Sequence, residues 1–314
     1  MIRIHCAAIT MKEKAMTVER HMKGADITAV NSRRAVNIIK EMQREEKKIV
    51  EKWEKGRLCP FPGILEALGV CPDAAERISV AGAGGKTSLI KALVEEYNAR
   101  NLPTVVTTTT HMYAEEKPYF LLEPSEEKMI QILNREGKIF LGKKAEAGKM
   151  QMPDEVWMEK LLQLSCPVLI EADGARRMPI KVPGEQEPVF RKETGRILYV
   201  YGMDAIGRPL EEVCFRAEEA ARILGKKMGE PVLPQDIARL AMHQRGGAKG
   251  VNKAVKYALI FNKTDLPGKK EAAREICEIL QECGYENPIL CLGNLDRRYT
   301  QELSSAGRGE HRKR

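Results

Sequence analysis

The sequence has few aromatic residues and no long apolar run. Only two Trp and six Phe occur among 314 residues, and aromatic residues make up 5% of the chain. The predicted core must therefore consist mainly of Leu, Ile, Val, Ala and Met. No window reaches the roughly 18 apolar residues of a membrane span, and Lys12, Glu13 and Lys14 break the apolar stretch that a signal peptide needs. We therefore expect no membrane association and a cytoplasmic protein.

The eight cysteines are scattered and include no C-x-x-C pair. This usage is typical of a reducing cytoplasm, in which thiols stay free and mostly buried. Cys277, Cys283 and Cys291 lie close together in the sequence, but their spacing matches no standard set of metal ligands.

The net charge is +8 and the pI is near 9.0, which leaves nucleic acid and acidic lipid open as partners. Glu is interleaved among the Lys and Arg almost everywhere, and few aromatic side chains are available to stack on bases. A solvated surface explains this mixture better than a nucleic-acid interface. An anionic nucleotide requires only a local positive site.

Residues 1–57 differ in composition from the rest of the chain. Residues 32–55 are rich in Lys, Arg and Glu, and their apolar residues recur at loosely helical spacing. We predict a charged helical extension here, which packs on the main domain, binds a partner or is poorly ordered. Two prolines and a glycine in residues 59–63 indicate a linker. The main domain is predicted over residues 58–300, followed by a disordered basic tail over residues 301–314.

From residue 64 onward, short apolar runs alternate with helical patterns, as in a parallel sheet that helices cover on both faces. We therefore predict an α/β fold with a mostly parallel sheet. The predicted strands are residues 77–81, 104–110, 138–141, 167–171, 196–201, 257–262 and 288–292. The predicted helices are residues 125–134, 216–224, 235–243 and 269–283, and one that follows the first strand and runs to Tyr97.

Residues 78–88, I-S-V-A-G-A-G-G-K-T-S, carry the most informative motif. Glycines let the backbone wrap around phosphate oxygens, and the following helix adds its positive N-terminal end. Lys86 would reach the β- and γ-phosphates, and Thr87 would coordinate Mg²⁺. Because Val80 occupies the first glycine position of the longer motif, the match is to the shorter form G-x-x-G-K-T, which leaves the subclass open. The predicted phosphate-binding residues are Gly82, Gly84, Gly85, Lys86, Thr87 and Ser88. The alternative is a glycine turn followed by an exposed lysine.

A second motif ends the apolar run of residues 256–261, where N-K-x-D is typical of GTP-binding proteins. Asp265 would accept hydrogen bonds from guanine N1–H and the N2 amine, neither of which adenine offers. The stem of Lys263 would lie along the base, and Asn262 would tie this segment to the base and to the phosphate-binding glycines. The motif therefore predicts GTP rather than ATP, the alternative being an ordinary turn in which Asp265 caps a helix.

Residues 168–174, V-L-I-E-A-D-G, form a predicted strand that ends in two carboxylates and a glycine. A strand-terminal Asp holds Mg²⁺ in P-loop folds. We therefore predict Asp173 as the first metal ligand and Glu171 as the second, with Gly174 donating its N–H to the γ-phosphate. If the strand persists, alternation places both carboxylates on one side.

Polar residues also follow the second predicted strand and the metal strand. Residues 107–110 are four consecutive threonines, of which Thr109 is the candidate to contact the γ-phosphate, and His111 would position a water. The alternative is a strand rich in Thr for its β-propensity. Arg176, Arg177 and Lys181 lie on a loop that would bind an anionic second substrate or stabilise charge in phosphoryl transfer, unless it is only a solvated loop.

Several of these segments occur in a recognisable order. They are residues 82–87, 107–110, 171–176 with Lys181, Glu187 and Pro188, 202–207 (G-M-D-A-I-G), and 262–265. Over roughly residues 61–293 the chain resembles the YqeC-like family, described as accessory proteins of selenium-dependent molybdenum hydroxylases. The resemblance implies a P-loop NTPase-like fold and a role in making or inserting a labile selenium cofactor. The implied partners are a molybdenum hydroxylase or its cofactor-maturation proteins. Cys214 and Arg216 depart from the resemblance, which predicts a His-Arg pair there.

The leading hypothesis is a slow GTPase that switches a maturation step, with Lys86, Asp173 and Thr109 as its candidate catalytic residues. No residue is a convincing general base, which fits a switch better than a fast hydrolase. The alternative is an ATP- or GTP-dependent ligase or kinase that acts on a small cofactor precursor. A scaffold that holds nucleotide without turning it over is a third class.

Overall fold

The computed structural model describes residues 50–71, 75–293 and 295. Within these residues the strands are β1 (Val50–Glu54), β2 (Arg57–Phe61), β3 (Arg77–Gly82), β4 (Thr104–Thr108), β5 (His111–Tyr113), β6 (Phe120–Leu121), β7 (Lys138–Leu141), β8 (Lys143–Ala145), β9 (Lys149–Gln151), β10 (Val168–Glu171), β11 (Ile180–Lys181), β12 (Arg196–Gly202), β13 (Cys214–Phe215), β14 (Lys256–Asn262) and β15 (Ile289–Leu292). The helices are α1 (Ile64–Ala67), α2 (Lys86–Asn98), α3 (Glu126–Glu136), α4 (Glu155–Leu162), α5 (Leu210–Val213), α6 (Ala217–Leu224), α7 (Pro234–Met242) and α8 (Lys269–Glu282), with a 3-10 turn at Met203–Ala205.

A ten-stranded sheet has the strand order β2-β1-β15-β14-β12-β3-β10-β4-β7-β6. Neighbouring strands from β15 to β6 are parallel, whereas β1 is antiparallel to both β15 and β2. The predicted mostly parallel sheet is thus confirmed. After β3 the chain builds β4, β7 and β10 on one side, and it later builds β12, β14 and β15 on the other. Ligands of open α/β sheets bind at such a switch point, outside the carboxyl ends of the strands.

Helices cover both faces of the sheet because successive side chains of a strand point to opposite faces. Leu198 and Val200 of β12 pack in one apolar cluster with residues of α1 and α2. Tyr199 and Tyr201 of the same strand pack in a second cluster with residues of α6, α7 and α8. The central strands are therefore buried on both sides, which is why they read as continuous apolar runs in the sequence.

The N-terminal edge of the sheet differs from the prediction. Residues 50–54, expected at the end of a helical extension, form β1, and the expected linker at residues 59–63 belongs largely to β2. Lys55 and Gly56 both have positive φ, at 52° and 74°, which is the geometry of a two-residue hairpin turn. Pro60 is tolerated because β2 is the edge strand. The rest of the predicted extension and the predicted tail lie outside the described residues.

A small three-stranded sheet of order β5-β9-β8 follows the carboxyl end of β4. It is antiparallel, and Met150 of the central strand pairs with Met112 on one side and with Lys144 on the other. None of its three strands was predicted from the sequence. Within the described ranges, none of the helices combines the length and the apolar character that crossing a bilayer would demand.

Candidate functional site

A cleft of about 1580 Å³ opens at the carboxyl ends of β3, β10 and β4. Its described lining includes the N-terminal end of α2, the residues after β4 and β10, and residues of β8 and β9. Eight Lys or Arg side chains line it, against three Glu. The cleft therefore presents a net positive surface to any ligand.

The glycine loop, Gly82 to Gly85, joins β3 to α2 at the centre of the cleft. Gly82, Gly84 and Gly85 have φ of 91°, 82° and 130°, values that other residues rarely adopt. A Cβ on Gly84 would lie 2.4 Å from backbone atoms of Gly202, so the close approach also demands glycine. Gly85 is the N-cap of α2 and has no side chain with which to cap it. The first N–H groups of a helix lack intrahelical acceptors, so this end suits an anion.

Lys86 and Asp173 form a buried ion pair beneath the glycine loop. Lys86 Nζ lies 3.2 Å from Asp173 Oδ1 and donates to the carbonyl of Gly82 at 2.8 Å. Asp173 is fully buried, accepts the N–H of Gly82 at 3.1 Å and pairs with Lys181 at 2.9 Å. The expectation that Asp173 is the first metal ligand does not match this geometry, since the carboxylate lies between two lysines and does not line the cleft.

Glu171 is the carboxylate that lines the cleft. Thr87 Oγ1 donates to Glu171 Oε2 at 2.9 Å, so two of the three predicted metal ligands are in contact. Burial raises the pKa of Glu171, although Lys86 and the hydrogen bond from Thr87 partly offset this effect. Its charged form is thus only partly compensated by the surrounding residues.

The described residues contain no group of three or more His, Cys, Asp or Glu able to hold a metal. Mg²⁺ does not require such a cage, because it binds through one or two protein oxygens together with phosphates and waters. The oxygen atoms of Thr87 and Glu171 fit that requirement beside the glycine loop.

The threonine run is divided between structural and cleft-facing positions. β4 ends at Thr108, whose hydroxyl donates to the carbonyl of Glu171 at 2.9 Å. The hydroxyl of Thr109 donates to the carbonyl of Val189 at 2.9 Å, and Thr109 does not line the cleft. This geometry does not suit the expected contact with a γ-phosphate. Thr110 and His111 line the cleft instead.

The N-K-x-D segment lies directly beside the glycine loop. Asn262 is buried and its side-chain amide donates to the carbonyl of Gly84 at 2.8 Å. Lys263 lines the cleft and pairs with Asp204 at 2.7 Å. Thr264 anchors the segment by donating its N–H and its hydroxyl to the carbonyl of Leu292, each at 3.0 Å. Asp265 is exposed and lies outside the lining of the cleft.

Lys181 is fully buried rather than part of a solvated loop. It pairs with Asp173 and with Glu187, each at 2.9 Å, and Glu187 also pairs with Arg216 at 2.8 Å. Burial alone would raise the pKa of Glu187, but the hydrogen bonds and charge of Lys181, with Gly184 and Arg216, lower it to about 2. The sequence placed Glu187 near the basic loop but gave it no role.

A second wall of the cleft consists of Tyr113, Lys149, Arg176, Arg177 and Phe215. The guanidinium of Arg176 lies 5.0 Å from the ring centre of Phe215, and that of Arg177 lies 4.4 Å from the ring centre of Tyr113. Both arginines are exposed. The sequence singled out the arginines but missed Tyr113, Lys149 and Phe215, because these residues come from three distant segments that only the small sheets bring together.

Comparisons with known proteins agree with the resemblance seen in the sequence. A family model described as YqeC protein matches residues 78–218. The chain is 31% identical over 211 residues to the uncharacterized protein YqeC of Escherichia coli (strain K12), covering 65% of this chain and 82% of that protein. No solved structure matches the chain significantly. The matched segment contains the glycine loop, both carboxylates at the end of β10 and the arginines of the cleft. The chain belongs to the YqeC family.

Proposed function

We propose that the chain is a P-loop protein that binds a guanine nucleotide with Mg²⁺ in the cleft. The observation that carries this proposal is the hydrogen bond from Asn262 to the carbonyl of Gly84. It brings an N-K-x-D segment against a glycine loop that lies 178 residues earlier in the chain. A shared motif order without such contact would be much weaker support, because each motif alone recurs by chance.

The glycine loop and the first turn of α2 would bind the phosphates through backbone N–H groups. Lys86 would exchange its contact with the carbonyl of Gly82 for the β- and γ-phosphates. Of the three expected ligands, Thr87, Asp173 and Glu171, we propose that Thr87 and Glu171 would hold Mg²⁺. When bound, Mg²⁺ would neutralise negative charge on the phosphates.

The strand order suits a nucleotide that lies across the sheet. β14 is two strands from β3, and neighbouring strands are about 4.8 Å apart. The phosphates at β3 and the base at the end of β14 would thus be about 10 Å apart. Asp265, at the exposed end of this segment, would read the N1–H and N2 amine of guanine.

We propose slow turnover, because no side chain at the glycine loop is arranged as a general base. The hydroxyl of Thr109 is bound to Val189, and the one histidine that lines the described cleft, His111, is exposed. Slow hydrolysis suits a switch. The proposed client, a selenium-dependent molybdenum hydroxylase or one of its cofactor-maturation proteins, rests on the family resemblance alone.

Titration with fluorescent GTP and ATP in Mg²⁺ tests the proposal, together with an Asp265→Asn variant and xanthine nucleotide. We expect GTP to bind at least about tenfold more tightly than ATP, about 1.4 kcal/mol. The variant should shift the preference towards xanthine nucleotide, while Asp154→Asn, a change of another exposed Asp, should leave it unaltered. Equal binding of ATP and GTP, with no effect of Asp265→Asn, would remove the base-reading role.

A ligase or kinase that uses the nucleotide on a small cofactor precursor is the second candidate. The second wall favours it, because Arg176 and Arg177 extend the positive surface beyond the glycine loop. A small molecule that accelerates nucleotide turnover would support this candidate, and turnover that responds only to a protein client would support the switch.

A further inference from the structure

The cleft extends to both sides of the glycine loop. Lys263 lines it from the end of β14, two strands to one side of β3, and Tyr113 lines it from β5, which follows β4, two strands to the other side. At about 4.8 Å per strand, the two ends are about 19 Å apart. The cleft volume of about 1580 Å³ exceeds the roughly 300–1,000 Å³ of most small-molecule pockets. A nucleotide between the glycine loop and Asn262 would use one side only.

The unused side carries positive charge that the protein does not neutralise. Among the residues that the structure describes, neither Arg176 nor Arg177 has an acidic partner, and their contacts are with the rings of Phe215 and Tyr113. Lys149 lies 5.5 Å from the ring centre of Tyr113 and adds a third cation. Arg216, by contrast, stacks on Phe215 at 4.4 Å but is paired with Glu187.

The two arginines are held in place although they are exposed. Their φ values of 47° and 62° lie in the left-handed region, which residues with a Cβ rarely adopt, and least often in succession. Stacking on an aromatic ring fixes the plane of a guanidinium and leaves its N–H groups available. Such planar groups bind carboxylate or phosphate oxygens in pairs.

We propose that the second wall binds the phosphate group of a small molecule, the second substrate or effector of the cleft. This rests on the proposed function, in that the nucleotide occupies the other side. Three cations that line one wall suit a phosphate monoester, which carries up to two negative charges, better than a single carboxylate. A small molecule suits the wall better than nucleic acid does, because the positive groups line a cleft and acidic residues are interleaved over the rest of the sequence.

Calorimetric titration with inorganic phosphate, used as the probe, tests the proposal in the presence of saturating Mg²⁺ and GDP. We expect Arg176→Gln combined with Arg177→Gln to weaken phosphate binding at least about tenfold, about 1.4 kcal/mol, with GDP affinity little changed. The matched control is Arg208→Gln combined with Arg274→Gln, which removes two exposed arginines outside the cleft and should change neither affinity.

A Lys86→Ala variant makes the test independent of nucleotide binding. Lys86 directly follows the glycine loop and would bind the phosphates there. Phosphate that still binds this variant, and is lost on adding the two arginine changes, therefore binds the second wall. Phosphate titration of Lys86→Ala, with and without the arginine changes, therefore tests the second wall even if no nucleotide binds the protein. Should Lys86→Ala unfold, the arginine variants titrated with phosphate at saturating GDP give the answer.

Three outcomes would overturn the inference. Phosphate binding that persists when both arginines are replaced would show that they do not form the site. Phosphate binding that GDP or Lys86→Ala abolishes would place the anion in the glycine loop. Displacement of phosphate by a single-stranded oligonucleotide at much lower concentration than by a phosphate monoester would replace the small molecule with nucleic acid.

Discussion

Neutralising Asp173 is expected to destabilise the folded protein far more than neutralising Glu171, although only one residue separates them. The perturbations are Asp173→Asn and Glu171→Gln, which keep the shape of each side chain and remove its charge. The two carboxylates differ in what surrounds them. Asp173 is the acceptor between two buried lysines, whereas Glu171 has Thr87 as its hydrogen-bond donor and opens onto the cleft.

The magnitude for Asp173 follows from its partners. Removing one member of a buried ion pair costs about 3–5 kcal/mol, because the remaining charge stays buried without compensation. Lys86 keeps the carbonyl of Gly82 and Lys181 keeps Glu187, and the new amide oxygen can still accept the N–H of Gly82. We therefore take the lower end and expect Asp173→Asn to reduce the free energy of unfolding by about 3 kcal/mol.

The opposite sign is expected for Glu171. Because burial raises the pKa of Glu171, folding disfavours its charged form. Glu171 therefore lowers the free energy of unfolding by an amount that grows as the pH rises from its ordinary pKa of 4.5 through the raised value. Glu171→Gln removes that penalty and keeps an acceptor for Thr87, so at pH 8 the variant should be as stable as the wild type or more stable. Its Mg²⁺-dependent nucleotide binding should be lost.

Urea unfolding at pH 8 without nucleotide, followed by circular dichroism, measures both free energies. The slopes against urea should agree among the proteins, so that differences in midpoint report stability. Asp154→Asn is a matched control, since it breaks an exposed ion pair with Lys143 and should cost little. If Asp173→Asn unfolds with the wild type while Glu171→Gln is strongly destabilised, the burial argument for both residues fails.

Two further predictions concern Glu187 and Gly85. The pKa of Glu187 falls from 4.5 to about 2, so its stabilisation is complete above pH 4.5 and is lost as the pH falls towards 2. At about 1.36 kcal/mol per pKa unit, and with partial exposure roughly halving the effect, the wild type should lose about 1.5 kcal/mol more than Glu187→Gln over that range in acid unfolding. Gly85→Ala should weaken nucleotide binding in fluorescence titrations and lower the melting temperature, because its Cβ would lie 2.1 Å from Asn262 Nδ2. Gly137→Ala, also at positive φ but with no atom closer than 3.6 Å, is the control, and an equal loss in both variants would contradict the steric reasoning.

The central strands could be predicted from the sequence because burial on both faces leaves a continuous apolar run. β10, β12 and β14 each begin and end within one residue of the prediction. The helices α6, α7 and α8 are equally close. In each case local propensity and tertiary burial favour the same structure.

The β1–β2 hairpin could not be predicted in this way. V-E-K-W-E in β1 has too few apolar residues to indicate a strand, and its charged residues read as a helix. β1 pairs with β2 on one side and on the other with β15, more than 230 residues later in the chain, so tertiary pairing overrides local preference. The strands β8 and β9 were missed for a different reason: they pair with each other locally, but three residues each are too few to show a strand period.

Site residues that lie just beyond a strand end were harder to place from the sequence than the one that ends a strand. Placing Asp173 on the same side as Glu171 required β10 to persist beyond Glu171, and the strand that contains Thr109 was predicted to run to Thr110. Both strands end earlier, and neither Asp173 nor Thr109 lines the cleft. The contact of Asn262 with the glycine loop, by contrast, depends only on β14 lying near β3 and ending at the same edge of the sheet.

Cys214, which departs from the family resemblance, does not contribute to the cleft. Cys214 is buried and does not line it, and burial raises the pKa of its thiol to about 12. It therefore stays a thiol at neutral pH and is a poor nucleophile. Arg216, two residues later, lines the cleft and keeps its ion pair with Glu187. A change at residue 214 thus affects packing, while the charged member of the segment keeps its position.

A row of ion pairs with alternating charge connects Lys86, beside the glycine loop, to Arg216, which contacts Phe215 of the second wall. Lys86, Asp173, Lys181, Glu187 and Arg216 follow one another at 3.2, 2.9, 2.9 and 2.8 Å. A ligand that draws Lys86 away from Asp173 leaves Lys181 as the single cation paired with that carboxylate. Any resulting change at Glu187 reaches Arg216, which stacks on the same ring as Arg176. By linkage, whatever coupling this row carries must be reciprocal: phosphate at the second wall must alter nucleotide affinity by the factor by which nucleotide alters phosphate affinity.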